Sequence, residues 1–502
     1  MKKMISLFIG CLLITKASNA NQSPAGQVII EGHYEMLKDD TVTLQFFKNK
    51  YGPVNFGAAT QTRIIHDGKF RFAIQDVFGP SYIIASSNAL DAKLRYIFYL
   101  DGFLIEPGDS IHIDIKKNGL IFSGKGSEKF KCRYAIDTVN TVNPYIHKKF
   151  FSLGDIKQDV LNGLAPLSDD YGMDVQLSML ENYRQKLSNL AFQLLKCDIL
   201  CNWARIRYNV YEFRWGESFG AADSTARKKI LIRFCKEKLE REPAVDDDVK
   251  MISKGYADFC VMRATMDSKI EDDKMELNDC SGPYRLLKSL PKPMRDKAIV
   301  SFLALMTEAS GIAHYDSCVL DAIKSVEDNG CLAILHILES RNIKGANSFD
   351  FDLPDNNNKR VTLRSLKGKV VLMDFWFTGC DACLSCARQL RKVIMNFEGD
   401  DKVVFISVCT DQNIVTWKKS LAKETYASPE LETNLFTEGK GINHPLLAYY
   451  NIVSFPTLLL IGQDGRLVSA VPPRPDEFNG VRKLTALITS TIGNIDEKAN
   501  GH

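Results

Sequence analysis

Cys380-Asp381-Ala382-Cys383 is the stretch of this chain whose residue types and spacing point to chemistry. A thiolate attacks a disulfide and a thiol does not, and the start of a helix lowers a cysteine pKa from about 8.5 into the range of roughly 3.5–7.5. A second cysteine one turn further in closes a small ring and expels a bound thiol. Cys380 is therefore the candidate nucleophile and Cys383 the candidate resolving thiol. Zinc and c-type haem sites share the spacing. Zinc needs a second ligand pair at suitable spacing, and haem needs a histidine at position 384, which is Leu384 here. No metal and no organic cofactor is expected. The chemically silent alternative is a structural disulfide or two buried thiols.

The flanking residues predict how the pair is held. Val370, Val371, Leu372, Met373, Phe375 and Trp376 form an apolar run that reads as a strand buried on both faces. It stops at Gly379, and Leu384, Ala387, Leu390 and Ile394 then recur at helical spacing. Cys380 is thus expected at a strand-to-helix junction, where unpaired N–H groups and the helix dipole favour an anion. Downstream, Asp401 to Cys409 reads as a second buried strand and Val415 to Lys423 as a helix. Phe455-Pro456-Thr457 leads an apolar run into Asp464-Gly465, which reads as a hairpin. A proline cannot donate to a ladder, so at the head of such a strand it predicts a special turn, with a cis bond.

These motifs together resemble the thioredoxin fold. Asp374-Phe375-Trp376 stands six residues before the first cysteine, and Phe455-Pro456-Thr457 precedes the Leu-Leu-Leu run. The lead-in Phe349-Asp-Phe-Asp-Leu-Pro354, followed by Val361 to Val370, is similar to the TlpA/ResA branch of envelope thiol-disulfide oxidoreductases. The resemblance covers about the last third of the chain. It implies that Pro456 is the cis-proline whose loop lies against the two sulfurs. It also implies that Asp374 is the family's buried acid, with a raised pKa and a proton-relay role toward Cys383. Its implied partners are cysteine-containing envelope proteins as clients and a membrane thiol-reducing relay as electron donor.

The chain departs from that family at two places. Gly379 stands where a tryptophan usually precedes the first cysteine, and Asp381 puts an acid beside the thiolate, which raises its pKa and makes the couple more reducing. Cys386 extends the motif to C-x-x-C-x-x-C, but no fourth ligand stands at matching spacing, so it reads as a core cysteine, as does Cys409. His444, ahead of Pro445 and a Leu446–Tyr450 helix, reads as a cap or a surface residue.

Met1-Lys2-Lys3 followed by the apolar run Met4–Ile14 and Ser18-Asn19-Ala20 reads as a signal peptide over 1–20, and hence as export to the periplasm or cell envelope. The alternative is lipid anchoring through Cys11, in an imperfect lipoprotein box. No later run is long enough to span a bilayer. The formal charge is +3, and residues 1–20 hold three lysines and no acid, so the remainder is balanced. That gives no footprint for nucleic acid or for an anionic membrane surface.

A chain of 502 residues exceeds a single core. Residues 21–128 alternate at strand period, as at Val42/Leu44/Phe46, Phe70/Phe72/Ile74 and Ile111/Ile113/Ile115, with turn signals between. This predicts an antiparallel β-sandwich, and resembles the small β domain that precedes envelope thioredoxin-like domains in Bacteroidetes-type proteins. His33, His66 and His112 are scattered through it and read as structural or surface residues. Residues 129–340 turn helical and predict an all-α domain. Leu180, Leu187 and Leu194 suggest one long helix with Cys197 and Cys201 on its buried rows, and further helices are expected over 226–239, 249–266, 297–307 and 318–338. Residues 341–495 are the α/β thioredoxin-like domain. The leading reading is an exported thiol-disulfide oxidoreductase. The alternatives are an envelope binding protein with a regulatory or structural dithiol, and, more weakly, a thiol peroxidase, for which Phe377 stands where threonine is wanted.

Overall fold

The computed structural model of the protein describes residues 26–34, 41–46, 59–87, 99–117, 119–142, 171–218, 232, 243–272, 279–292, 294–307, 312–452 and 454–499. The expectations for the 1–20 signal, for Cys11 and, apart from position 232, for a 226–239 helix fall outside these residues. The chain divides into two compact units, residues 1–203 with 243–255, and residues 204–242 with 256–502.

The first unit opens with eight strands: β1 (Gly26–Tyr34), β2 (Thr41–Phe46), β3 (Ala59–Ile64), β4 (Lys69–Val77), β5 (Ser81–Ser87), β6 (Tyr99–Ile105), β7 (Ser110–Lys116) and β8 (Gly119–Lys125). They form two four-stranded sheets, ordered β4-β1-β7-β8 and β3-β2-β5-β6. Alternation in the sequence becomes alternation of faces. Val42, Leu44, Phe72, Ile74, Ile111 and Ile113 all lie in one buried cluster shared by the two sheets. One expectation is corrected: β1 and β7 run parallel, pairing Ile29 with Ser110 and Gly32 with Ile113, so the first sheet is mixed. Hairpin turns enforce antiparallel pairing only between consecutive strands, and five strands separate β1 from β7.

Helix α1 (Ser127–Val142) carries Phe130 into that cluster. Its Lys129 is buried and ion-paired, 3.0 Å from both Asp109 and Glu106. The long helix suggested by Leu180, Leu187 and Leu194 is interrupted. α2 (Tyr171–Glu181) ends before a 3-10 turn at Arg184–Lys186, Leu187 is extended, and α3 (Asn189–Ser218) restarts. Ser188 supplies the restart, its hydroxyl accepting the Ala191 N–H at 3.1 Å, a capping bond that competes with helix continuation. Cys197 and Cys201 are buried on α3. The helix expected from Val249 is likewise split into α4 (Asp247–Ile252) and α5 (Lys254–Asp272). The break is Ser253, whose backbone leaves the helical region at φ -55 and ψ 129 and whose hydroxyl donates to Asp198, 2.6 Å away.

Four helices follow in the second unit: α6 (Ser281–Lys288), α7 (Met294–Met306), α8 (Tyr315–Ser325) and α9 (Asn329–Asn342). The chain then enters the C-terminal α/β region, with strands β9 (Asp352–Pro354), β10 (Arg360–Thr362), β11 (Val370–Trp376), β12 (Val403–Cys409), β13 (Thr433–Phe436), β14 (Thr457–Ile461) and β15 (Leu467–Ser469). The last five make one sheet, ordered β13-β12-β11-β14-β15. β11 is parallel to β12 and antiparallel to β14, and every one of its residues is buried. Helix α10 (Asp381–Met395) covers one face of this sheet, with Leu390, Val393 and Ile394 against Val370 and Leu372. The last helix, α13 (Gly480–Ala499), adds Leu484 and Ile488 to the same layer. On the opposite face, α12 (Pro445–Tyr450) seats Leu446 and Leu447 against Val371, Met373 and Phe375. Burying a side chain such as Leu390 contributes roughly 1.5–3 kcal/mol, so this two-faced packing is what fixes the start of α10 against the end of β11.

Candidate active site

Cys380 is the N-cap of α10, and its sulfur accepts the backbone N–H of Cys383 at 3.1 Å. The two cysteines are joined in a disulfide, with Cα atoms 5.2 Å apart. Cys380 retains 6% of its surface and Cys383 only 1%, so an incoming group meets Cys380 first. A sulfur receiving an N–H at the positive end of a helix is stabilised as a thiolate once the bond is reduced. Trp376, Trp417, Tyr426 and Phe436 surround the pair.

Gly379, just before the nucleophile, has φ +96 and no atom within 4 Å of where a Cβ would stand. The backbone conformation, not lack of room, is what calls for glycine there. Its N–H donates to the Tyr426 hydroxyl at 2.8 Å, and Tyr426 stacks on Trp376 with ring centroids 4.8 Å apart. Thr378 is clamped by Asp411: its N–H donates at 2.9 Å and its hydroxyl at 2.6 Å. Ser420, on α11 (Ile414–Ala422), lies 2.7 Å from the same hydroxyl. Sequence reasoning missed Asp411, Ser420 and Tyr426, which lie 33 to 47 residues away along the chain from the loop they hold. The signal for Asp411 was its place two residues past the end of β12, since parallel neighbours bring their carboxyl ends side by side.

Asp374, 2% exposed in the middle of β11, has its carboxyl raised well above the usual range. Burial is the main cause, Glu432 adds to it, and Arg474 opposes it. Its Oδ1 has no hydrogen-bond partner. The Phe455–Pro456 bond is cis. Phe455 packs on the cysteine cluster and meets Phe377 edge-on, with centroids 5.5 Å apart. Cys386 and Cys409 are fully buried, with thiol pKa values pushed up by burial. His444 caps α12, its Nδ1 accepting the Leu446 N–H at 3.3 Å. Among the described residues, no group of three or more His, Cys, Asp or Glu is placed to hold a metal ion.

Residues 368–467 match the family model described as thioredoxin-like. The C-terminal region is a thioredoxin-like domain. The thioredoxin-like protein YneN of Bacillus subtilis (strain 168) is 27% identical over 122 residues, covering 24% of this chain and 67% of that protein. The thiol-disulfide oxidoreductase ResA of the same organism is 25% identical over 137 residues, covering 26% of this chain and 66% of that protein. The chain thus spans about two thirds of the length of these relatives. A thiol:disulfide interchange protein from a Bacteroides species, solved in solution, aligns over 32% of this chain and 98% of its own at 25% identity, with a TM-score of 0.26. In this thioredoxin-like domain the dithiol sits at the carboxyl end of β11, and no described helix of the chain is long and apolar enough to cross a membrane.

Proposed function

We propose that the protein is an exported thiol-disulfide oxidoreductase that reduces or isomerises disulfides of envelope proteins. The observation that carries this reading is the Cys380 sulfur at the N-cap of α10, receiving an N–H and more accessible than its partner. In the reduced protein the Cys380 thiolate attacks a client disulfide, forming a mixed disulfide and releasing one client sulfur as a thiolate that takes up a proton. Cys383 then attacks the Cys380 sulfur, loses its proton toward Asp374, and releases the second client thiolate. The client is reduced by two electrons and the dithiol is oxidised. Pro456 lends its loop to align the client backbone, and a membrane thiol-reducing relay restores the dithiol. Names of relatives such as ResA support the same class of activity.

In this proposal residues 1–20 direct export, 21–128 form a β-sandwich, 129–340 an all-α domain and 341–495 the catalytic domain, with the first two recognising clients. The test is trapping. A full-length Cys383→Ser protein incubated with a disulfide-bonded protein substrate is expected to accumulate a mixed disulfide through Cys380. A Cys380→Ser protein that still reduces the substrate overturns the reading.

A further inference from the structure

The register between β11 and β14 sets an aromatic pair beside the dithiol. The two strands are antiparallel, and their pairing ends with Phe375 opposite Thr457. Continued two residues past that point, the same register brings Phe377 opposite Phe455, and the rings meet edge-on with centroids 5.5 Å apart. Phe455 packs on the cluster that holds Cys380 and Cys383, as does Leu384. Phe377 follows Met373 and Phe375 along one face of the chain. Those two are fully buried, whereas Phe377 lies beyond the end of the strand and keeps 38% of its surface exposed. Gly379 is exposed as well, with open space where a side chain would stand. A half-open ring and a vacant position thus flank the nucleophile.

The polar groups of this loop are already engaged. The Thr378 N–H and hydroxyl donate to Asp411 at 2.9 and 2.6 Å, and the Gly379 N–H donates to Tyr426 at 2.8 Å. The Cys380 N–H donates to the Phe377 carbonyl at 3.3 Å. A polar side chain laid over the loop gives up water and finds none of these donors free, which favours an apolar occupant. The reaction determines what arrives. In the mixed disulfide the client cysteine is bonded to the Cys380 sulfur, and the neighbouring client residues have their Cα atoms only about 3.8 Å from its own. They are therefore carried onto the Phe377–Phe455 pair and the gap at Gly379.

We infer that Phe377, with the open position at Gly379, forms a subsite for an aromatic side chain next to the client's reactive cysteine, and that Phe377 sets the preference for it. The inference rests on the oxidoreductase reading and names the class of client sequence the site takes. An aromatic neighbour adds ring-on-ring contact with Phe377 and removes its exposed surface from water, which a smaller side chain does not. The bonds made and broken are those of the disulfide exchange already described.

The test uses the reduced full chain and short synthetic peptides with one cysteine, flanked on both sides by phenylalanine, leucine or alanine and joined by a disulfide to thionitrobenzoate. Cys380 attacks the peptide sulfur and expels the coloured thionitrobenzoate anion, so colour times the first step. Each rate is divided by that of the same peptide with dithiothreitol, which removes differences in the peptides' own reactivity. The phenylalanine peptide is expected to react roughly tenfold faster than the alanine peptide, and faster than the leucine one. In Phe377→Ala the phenylalanine-to-alanine ratio is expected to fall to about one. A phenylalanine peptide no faster than the others, or an undiminished ratio in Phe377→Ala, overturns the inference and leaves the oxidoreductase reading intact. Colour release that persists in Cys380→Ser overturns that reading itself. If Phe377→Ala reacts with none of the peptides, the trapped complex decides. In Cys383→Ser joined to the phenylalanine peptide, proton contacts by NMR between a peptide ring and the Phe377 ring support the subsite, and their absence refutes it.

Discussion

A carboxyl held up by burial makes the fold weaker as pH rises, and Glu432 allows the size of that effect to be worked out. Its pKa is raised from 4.5 to about 7, chiefly by burial, against the lowering effects of the Ser428 N–H and Arg391. Between those two values the folded chain binds the proton and the unfolded chain has released it, so stability falls as pH rises through this window and levels off above it. At 1.36 kcal/mol per pKa unit the full cost is at most about 3.4 kcal/mol, and less for a residue that is only half-buried. Glu432→Gln keeps an oxygen for the Ser428 N–H and removes the charge. The variant is therefore expected to match the parent at pH 4 and to exceed it by roughly 2–3 kcal/mol at pH 8. Urea unfolding at the two pH values measures this through the tryptophans, of which Trp376 and Trp417 lie buried in the thioredoxin-like domain. Equal stability at pH 8, or a variant weaker than its parent there, refutes the assignment of a buried, proton-retaining carboxyl.

The remaining expectations concern the loop and its cysteines. Gly379→Ala puts a Cβ into open space at φ +96, so the loss should be conformational only, about 1–2 kcal/mol, and an unchanged unfolding midpoint contradicts it. Tyr426→Phe removes the partner of the Gly379 N–H. It should cost about 1 kcal/mol and slow alkylation of Cys380, whereas unaltered alkylation would show that the bond does not position the loop. Asp381→Ala takes an anion from the first turn of α10, and at roughly 6 Å through water it should lower the Cys380 pKa by about half a unit. Cys386→Ala should leave the kinetics of both thiol steps as they are. A changed rate would make this buried sulfur a third redox partner.

What the sequence made legible was local. The apolar run of β11, the glycine stop and the helical spacing after Cys380 each follow from neighbours a few residues apart, and they place the dithiol at the helix start. The buried alternation of β2, β4 and β7 was legible for the same reason. What stayed hidden depends on contacts across the fold. The parallel pairing of β1 with β7 joins strands with no shared turn, and the break at Leu187 is set by a capping serine that the leucine spacing masks. Asp411, Tyr426 and Glu432 reach the site only through the order of strands in the sheet, which no motif in the chain spells out.

The central claim is that the start of α10 ionises Cys380 and leaves Cys383 behind it as a thiol. Alkylation of the fully reduced protein by iodoacetamide as a function of pH, with the modified cysteine located by mass spectrometry, measures this directly. The account expects modification at Cys380 first, with half-ionisation between roughly 3.5 and 7.5. Modification beginning at Cys383, or a Cys380 that ionises only at about 8.5 or above, contradicts it.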